Sequence, residues 1–329
     1  MKQQEHDAVR KPRLVFAMTS LAGSKRRDTL MITVFGSINM DLIATTERLP
    51  KPGETVAGNG FATAAGGKGA NQALAARRAG RYVHMAGAVG KDGFAADALA
   101  LLDDAGTDLS LVKHVDGPTG TALILVGGDG ENMIAVVPGA NGLVTPADAE
   151  KAVGRMNEGD LLMLQLEVPA AAVERALSAA RAKGVTSILN LAPLIPDAAQ
   201  LGRLADIVIA NETEFERLAG QEGMDAEARE AALTRLHAET GQTLIVTLGG
   251  DGVIAIRDGA ISRAQGLKIE PVDTVGAGDT FCGYFTASLD DGLDFASALR
   301  RAAVAGSLAC LKAGAQPSIP WSEEVADRI

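Results

Sequence analysis

The sequence predicts an α/β protein: a three-layer α/β/α domain with a mostly parallel central sheet and a small β-sheet lid. Three observations carry that expectation. Short apolar segments alternate with Ala-rich segments of helix length from Met31 onward. Several of the short segments are apolar at nearly every position, as strands covered on both faces should be. Two further stretches place strand-like segments in succession with no helix between them. Of the 329 residues 47% are hydrophobic and only 3% aromatic, so Ala, Val, Leu and Ile must fill the core.

In chain order, strands are expected at 33–35, 82–86, 161–166, 187–191, 207–210 and 244–248. Helices are expected at 70–79, 93–105, 170–183, 212–219 and 226–239, with another following Asp279 over 281–289. The segments that break the rhythm are 55–64 and 121–137. In the second, Gly127-Gly128-Asp129-Gly130 is a strong hairpin turn. Lid strands are therefore expected near 38–64 and 109–137, in a domain running over 31–329. Residues 1–30 differ: seven basic residues stand against three acidic ones, a net of +4 in a chain whose total is −10. They read as a disordered basic extension, because the apolar run at 14–18 is too short for a secretory signal.

Charge and cysteine content exclude several classes. A net charge of −10 argues against a nucleic-acid scaffold. The longest run without Asp, Glu, Lys or Arg is residues 132–147. It contains two prolines and falls short of the ~20 apolar residues a membrane span needs. Two cysteines, Cys282 and Cys310, make no disulfide framework or metal spacing and read as buried small hydrophobes. The four histidines share no motif with a Ser or Cys nucleophile, which disfavours hydrolase triads and zinc chemistry. A soluble protein in the cytoplasm is the expectation.

Glycine is the compositional outlier, 38 residues against a usual share of about 7%. Some of it falls just ahead of helices. In Asp273-Thr274-Val275-Gly276-Ala277-Gly278-Asp279 the glycines let backbone N–H groups face a cavity, where the helix dipole favours an anion. Asp279, in the first turn, could take a proton from a hydroxyl. Gly66-Gly67-Lys68-Gly69-Ala70-Asn71 is not a P-loop, since Ala62 and Gly69 stand where Gly and Ser or Thr would be needed. It would instead let the backbone approach a small polar ligand, with Lys68 and Asn71 hydrogen-bonding to it. Asn39 and Asp41 follow the first strand, where a carboxylate and an amide could read a diol, or simply form an Asx turn. Glu167 ends another apolar strand. Asn211-Glu212-Thr213-Glu214 offers a capping box, or a carboxylate able to orient a Mg²⁺-bound water. Thr247-Leu248-Gly249-Gly250-Asp251-Gly252 is a glycine turn between strands, over which a nucleotide could lie.

Together these strings resemble the ribokinase (PfkB-type) family of carbohydrate kinases from about Ile32 to Trp321. Pro52-Gly53-Glu54-Thr55, Gly139-Ala140-Asn141 and Gly314-Ala315-Gln316-Pro317-Ser318 complete the family's order. The resemblance implies a ribokinase-like fold and ATP-dependent phosphorylation of the 5-hydroxyl of D-ribose. It implies Asp279 as base and an anion hole at Gly276, Ala277 and Gly278. Asn39, Asp41, Gly67, Lys68, Asn71 and Glu167 match sugar-binding positions, and Asn211, Thr247–Gly252 and Gly278 the ATP side. Glu214 matches a residue associated with Mg²⁺. Asp273, Val275, Ala309, Lys312, Gly314 and Ser318 match a K⁺ site, and the lid implies a homodimer. Two positions depart from the pattern: Ala303 stands where His can lie near adenine, and Leu191 where Asn-Pro-Ala-Pro is familiar.

Other readings remain at this stage. They are a kinase for deoxyribose, a ketohexose, a keto-deoxy sugar acid or a nucleoside, and a non-catalytic sugar-binding regulator. A Rossmann dehydrogenase is disfavoured, because no G-x-G-x-x-G follows the first strand.

Overall fold

The computed structural model describes residues 30–329, so the basic extension expected over 1–30 lies, but for Leu30, outside the described residues. The chain starts with β1 (Ile32–Phe35), leaves it for β2 (Asn39–Thr46) and β3 (Gly58–Gly66), and returns through α1 (Lys68–Arg78). There follow β4 (Val83–Gly90), α2 (Phe94–Asp104) and β5 (Asp108–Val115), then the hairpin β6 (Gly120–Val126) and β7 (Asn132–Val137). A 3-10 turn at Gly139–Leu143 and α3 (Pro146–Gly154) lead into β8 (Leu161–Leu164), α4 (Ala170–Lys183) and β9 (Thr186–Asn190). Next come α5 (Ala198–Gly202), β10 (Ile207–Asn211), α6 (Glu212–Ala219), α7 (Ala226–Thr240) and β11 (Thr243–Thr247). The hairpin β12 (Val253–Arg257) and β13 (Ala260–Ala264) precedes α8 (Ala277–Asp290), α9 (Phe295–Ala309), α10 (Ala315–Ser318) and α11 (Ser322–Ala326).

Among the described residues the strands form two sheets. The larger has the order β13-β12-β11-β10-β9-β8-β1-β4-β5 and is parallel except for the β11-β12-β13 edge. Each face has its own core, which is why the strands read as apolar throughout. Ile32 and Val34 face the helices α1, α2, α8 and α9, whereas Phe35, Leu164 and Val246 face α3 to α7.

The smaller sheet, β3-β2-β6-β7, differs from expectation in two ways. Residues 108–115 belong to the large sheet, where β5 pairs in parallel with β4; this part of the expected 109–137 lid segment is therefore corrected. The reason is the intervening α2, a crossover that returns the chain parallel to β4. Asn39 and Asp41 also lie within β2 rather than in a loop or Asx turn. Two residues apart, they share one sheet face.

Candidate active site

The parallel strands deliver polar residues at their carboxyl ends, the edge where open α/β sheets bind ligands. Ser37 follows β1, Gln165 and Glu167 follow β8, and Asn190, Asn211 and Thr247 end β9, β10 and β11. The N-termini of α1 and α8 meet above this edge.

Asp279 sits in the first turn of α8 and is 6% exposed. Its Oδ2 accepts from Asn71 Nδ2 and its Oδ1 from Gln72 Nε2, both at 2.9 Å. Close helix packing allows this. One turn after Asp279, Gly283 lies so near α1 that a Cβ there would come 2.4 Å from Ala75 Cβ. Gly276 caps α8 at φ +78°, a conformation that strains other residues, and it abuts Ala315. The first-turn N–H groups of Gly278 and Asp279 have no partner within the helix, the Ala277 N–H donates only to Thr274 O at 3.3 Å, and open space adjoins Gly278. A carboxylate thus stands beside a ready anion site.

Facing it are the expected polyol-binding residues. Gly67 precedes α1 at φ +88°, bringing its backbone against Ile38 and Asn39. Glu167 Oε2 accepts from Ser37 Oγ at 2.5 Å and from Lys68 N at 3.0 Å. The carboxylates of Asp279 and Glu167 raise the pKa of the Lys68 ammonium above its ordinary value, so it stays charged among them. Asp41 is 9% exposed; burial, then Glu167 and Asp279, push its pKa up to about 6. Asn39 is buried and accepts from Asn141 Nδ2.

Across α8 lies the expected nucleotide side. Asn211 and Glu214 form the capping box: Glu214 N donates to Asn211 Oδ1, and Asn211 N donates to Glu214 Oε2, each at 2.8 Å. Burial raises the Glu214 carboxyl, and Lys68 and the Asn211 N–H oppose that rise. The Thr247–Gly252 segment is a turn closed by Leu248 N donating to Gly252 O, with Gly249 and Gly250 exposed. Ala303 is nearly buried in α9, and its carbonyl accepts from Ser307 Oγ. Leu191 is buried in the core against α4–α7, so its departure from the familiar string is a packing matter. A separate cleft of about 840 Å³ between α7 and β12–β13 includes Leu248 and Asp251 but none of the groups around Asp279.

Of the expected cation residues, Asp273 links two loops. Its Oδ1 accepts from Val275 N at 3.0 Å and its Oδ2 from Gly314 N at 2.8 Å. Cys310 O accepts from Val272 N and Asp273 N, tying in the end of α9 beside Ala309. Ser318 is buried and its hydroxyl donates to Ala315 O; the Lys312 side chain turns away to Glu324. Among the described residues no three His, Cys, Asp or Glu side chains converge as a metal cluster. The expected residues offer one carboxylate with carbonyl and hydroxyl oxygens, donors of the kind that suit a hard cation.

Three residues at this site carry a role that the sequence reading did not assign. Gln72 and Asn141 hold Asp279 and Asn39, and Gln165 holds Gln72. Asn141 stands in the Gly139-Ala140-Asn141 string and Gln165 two residues before Glu167 at a strand end, whereas the signal for Gln72 was a lone amide in an otherwise apolar helix. No helix among the described residues is long and apolar enough to cross a membrane.

Known proteins are similar to this chain in sequence and fold. The profile of the pfkB family carbohydrate kinases matches residues 29–322. The chain is 35% identical over 297 residues to the ribokinase of Haemophilus influenzae, covering 90% of this chain and 97% of that one. It is 32% identical over 295 residues to the deoxyribokinase of Salmonella typhi, covering 89% and 96%. The structure of Arabidopsis thaliana ribokinase complexed with ribose and ATP superposes with a TM-score of 0.81 at 32% identity, covering 91% and 98%.

Proposed function

The chain belongs to the pfkB family of carbohydrate kinases, and from that premise we propose that it phosphorylates the 5-hydroxyl of D-ribose with ATP. The observation that carries this reading is the buried Asp279 carboxylate, hydrogen-bonded by α1 and placed at the open N-terminus of α8. Asp279 takes the hydroxyl proton as that oxygen bonds to the γ-phosphorus and the bond to the ADP oxygen breaks. The N–H groups of Gly276, Ala277 and Gly278 stabilise the charge on the transferring group, being already oriented before it arrives.

Asn39, Asp41, Gly67, Lys68, Asn71 and Glu167 hold the sugar, with Asp41 and Glu167 accepting from hydroxyls. Asn211 and the Thr247–Gly252 turn hold the nucleotide. A Mg²⁺ ion bound with ATP would neutralise phosphate charge, and Glu214 is the carboxylate that could orient its water. K⁺ would be held by Asp273, Ser318 and the main chain of Val275, Ala309, Lys312 and Gly314, where the oxygen donors suit it. Those residues brace the loop that ends in the anion hole.

The lid supports a homodimer. Leu42, Phe61, Leu123, Leu125 and Met133 share the sheet face opposite Asn39 and Asp41, and Phe61 is 72% exposed. A kinase unit of residues 31–329 that draws on cellular ATP also points to the cytoplasm.

An acceptor panel of ribose, deoxyribose, fructose and adenosine, with and without K⁺, tests the reading. Ribose should give the highest kcat/KM; better turnover of deoxyribose would favour the alternative activity, that of the Salmonella relative. Asp279→Asn should lower kcat by about a thousandfold or more while ribose binding changes little.

A further inference from the structure

Behind Asp279 runs a chain of buried amides. Gln72, 1% exposed, donates from Nε2 to Asp279 Oδ1 at 2.9 Å and to Asn190 Oδ1 at 3.3 Å. Its Oε1 accepts from Gln165 Nε2 at 2.6 Å, and Gln165 is wholly buried. The polarity of the chain is set at one end. A carboxylate only accepts, so Gln72 must present its nitrogen to Asp279, and its oxygen is left for Gln165 to donate to. That order leaves Gln165 Oε1 with no partner, pressed against Gly36, where an added Cβ would lie 1.9 Å from it. A buried acceptor left unpaired is unusual in a folded chain. Here it follows from the order in which Gln165 donates to Gln72 and Gln72 to Asp279.

The two carboxylate oxygens are therefore not equivalent. Oδ1 is bound by Gln72, which is fixed on both sides and reaches no solvent. Oδ2 is bound by Asn71, which is 5% exposed, retains a buried Oδ1 without a partner, and matches a sugar-contacting position.

We propose that Gln72 and Gln165 are positioning residues for the reaction: they hold Asp279 Oδ1, so that Oδ2 is the oxygen presented to the acceptor hydroxyl. The inference rests on the reading of Asp279 as the base. The relay prevents rotation of the carboxylate, because Gln72 is itself held by Gln165 and Asn190. Other titratable groups also face Asp279: Lys68 from α1, Asp41 from β2, Glu214 from α6 and Cys282 from α8 itself.

Gln72→Met keeps the volume and removes the donor. It should lower kcat about 10- to 100-fold, with ribose KM within about twofold. Gln165→Met should do the same by a smaller factor, about 3- to 10-fold. An unchanged kcat in Gln72→Met would overturn the proposal. So would parallel losses in kcat and ribose affinity with a lowered Tm, which would mean a collapsed site. If Gln72→Met does not fold, Gln165→Met decides by the same two readouts. Asp279→Asn in the same assay separates the two readings. Retained turnover there removes the base and the relay with it. An inactive Asp279→Asn beside an unaltered Gln72→Met removes the relay alone.

Discussion

Asn141 Nδ2 donates to Asn39 Oδ1 at 2.7 Å, which decides what Asn39 can offer a ligand. With its oxygen occupied, Asn39 has its Nδ2 donors left, and these meet no protein acceptor among the described residues. Asn141 also bonds Ile38 N and Ile38 O, fixing the point where the chain passes from β1 into the lid.

Asn141→Ala should therefore raise the ribose KM more than it lowers kcat. Each lost bond to a buried group is worth roughly 1–3 kcal/mol, so a 10- to 100-fold fall in kcat/KM is expected, from steady-state kinetics. An equal loss confined to kcat would place Asn141 elsewhere in the mechanism.

Asp41 gives a pH dependence with a definite sign. Its pKa is about 6 in the folded chain against an ordinary 3.8. Between these values the native state holds a proton that the unfolded state releases, so this group's contribution to stability declines as pH rises through the window. Asp41→Asn should be more stable than the parent at pH 8, by up to about 3 kcal/mol, and equal to it near pH 3, in urea melts. Ribose KM in the parent should rise as pH falls below about 6, because a protonated Asp41 loses acceptor capacity.

Gly283 tests whether the spacing of α1 and α8 sets the site. A Cβ at 283 would come within 2.6 Å of Gln72 O and 2.7 Å of Ala76 N. Gly283→Ala should destabilise the fold by about 1–3 kcal/mol and lower kcat as Asp279 moves off its amides. Thermal melts and kinetics read both; full activity at reduced Tm would separate spacing from catalysis.

Asp273 is the test of the braced anion-hole loop. Asp273→Ala removes the acceptor shared by Val275 N and Gly314 N. The variant should lose about 10-fold or more in kcat and lose its response to added K⁺, while the parent is activated by it. A variant still activated to the parental level would remove Asp273 from the cation reading.

Phe61 and Met133 occupy the outward lid face, 72% and 52% exposed. Replacing both by Glu should shift sedimentation from dimer to monomer, since apolar faces of this kind associate through desolvation. A parent already monomeric at micromolar concentration would remove the dimer from the reading.

Much of this was legible in residue order alone. Alternation of apolar runs with Ala-rich segments indicated a doubly covered sheet, because periodicity reports how many faces of an element are buried. The strings ending at Asp279 and Asn71, and the one beginning at Asn211, could be read locally, since a glycine ahead of a helix, or an Asn three residues before a Glu, makes its structure within one turn. What sequence could not supply was pairing over distance. Strand β5 reads like its lid neighbours, and only its register with β4 assigns it to the large sheet. Gln72 and Asp279 are 207 positions apart, and Asn39 and Asn141 are 102. Sequence determined the fold class and named a carboxylate beside a glycine-lined helix end. Tertiary structure decided which amides bind that carboxylate and that the side-chain oxygen of Asn39 already accepts from Asn141. Hydrogen-bond partners of this kind are chosen by the close packing of helices and strands that no local pattern encodes.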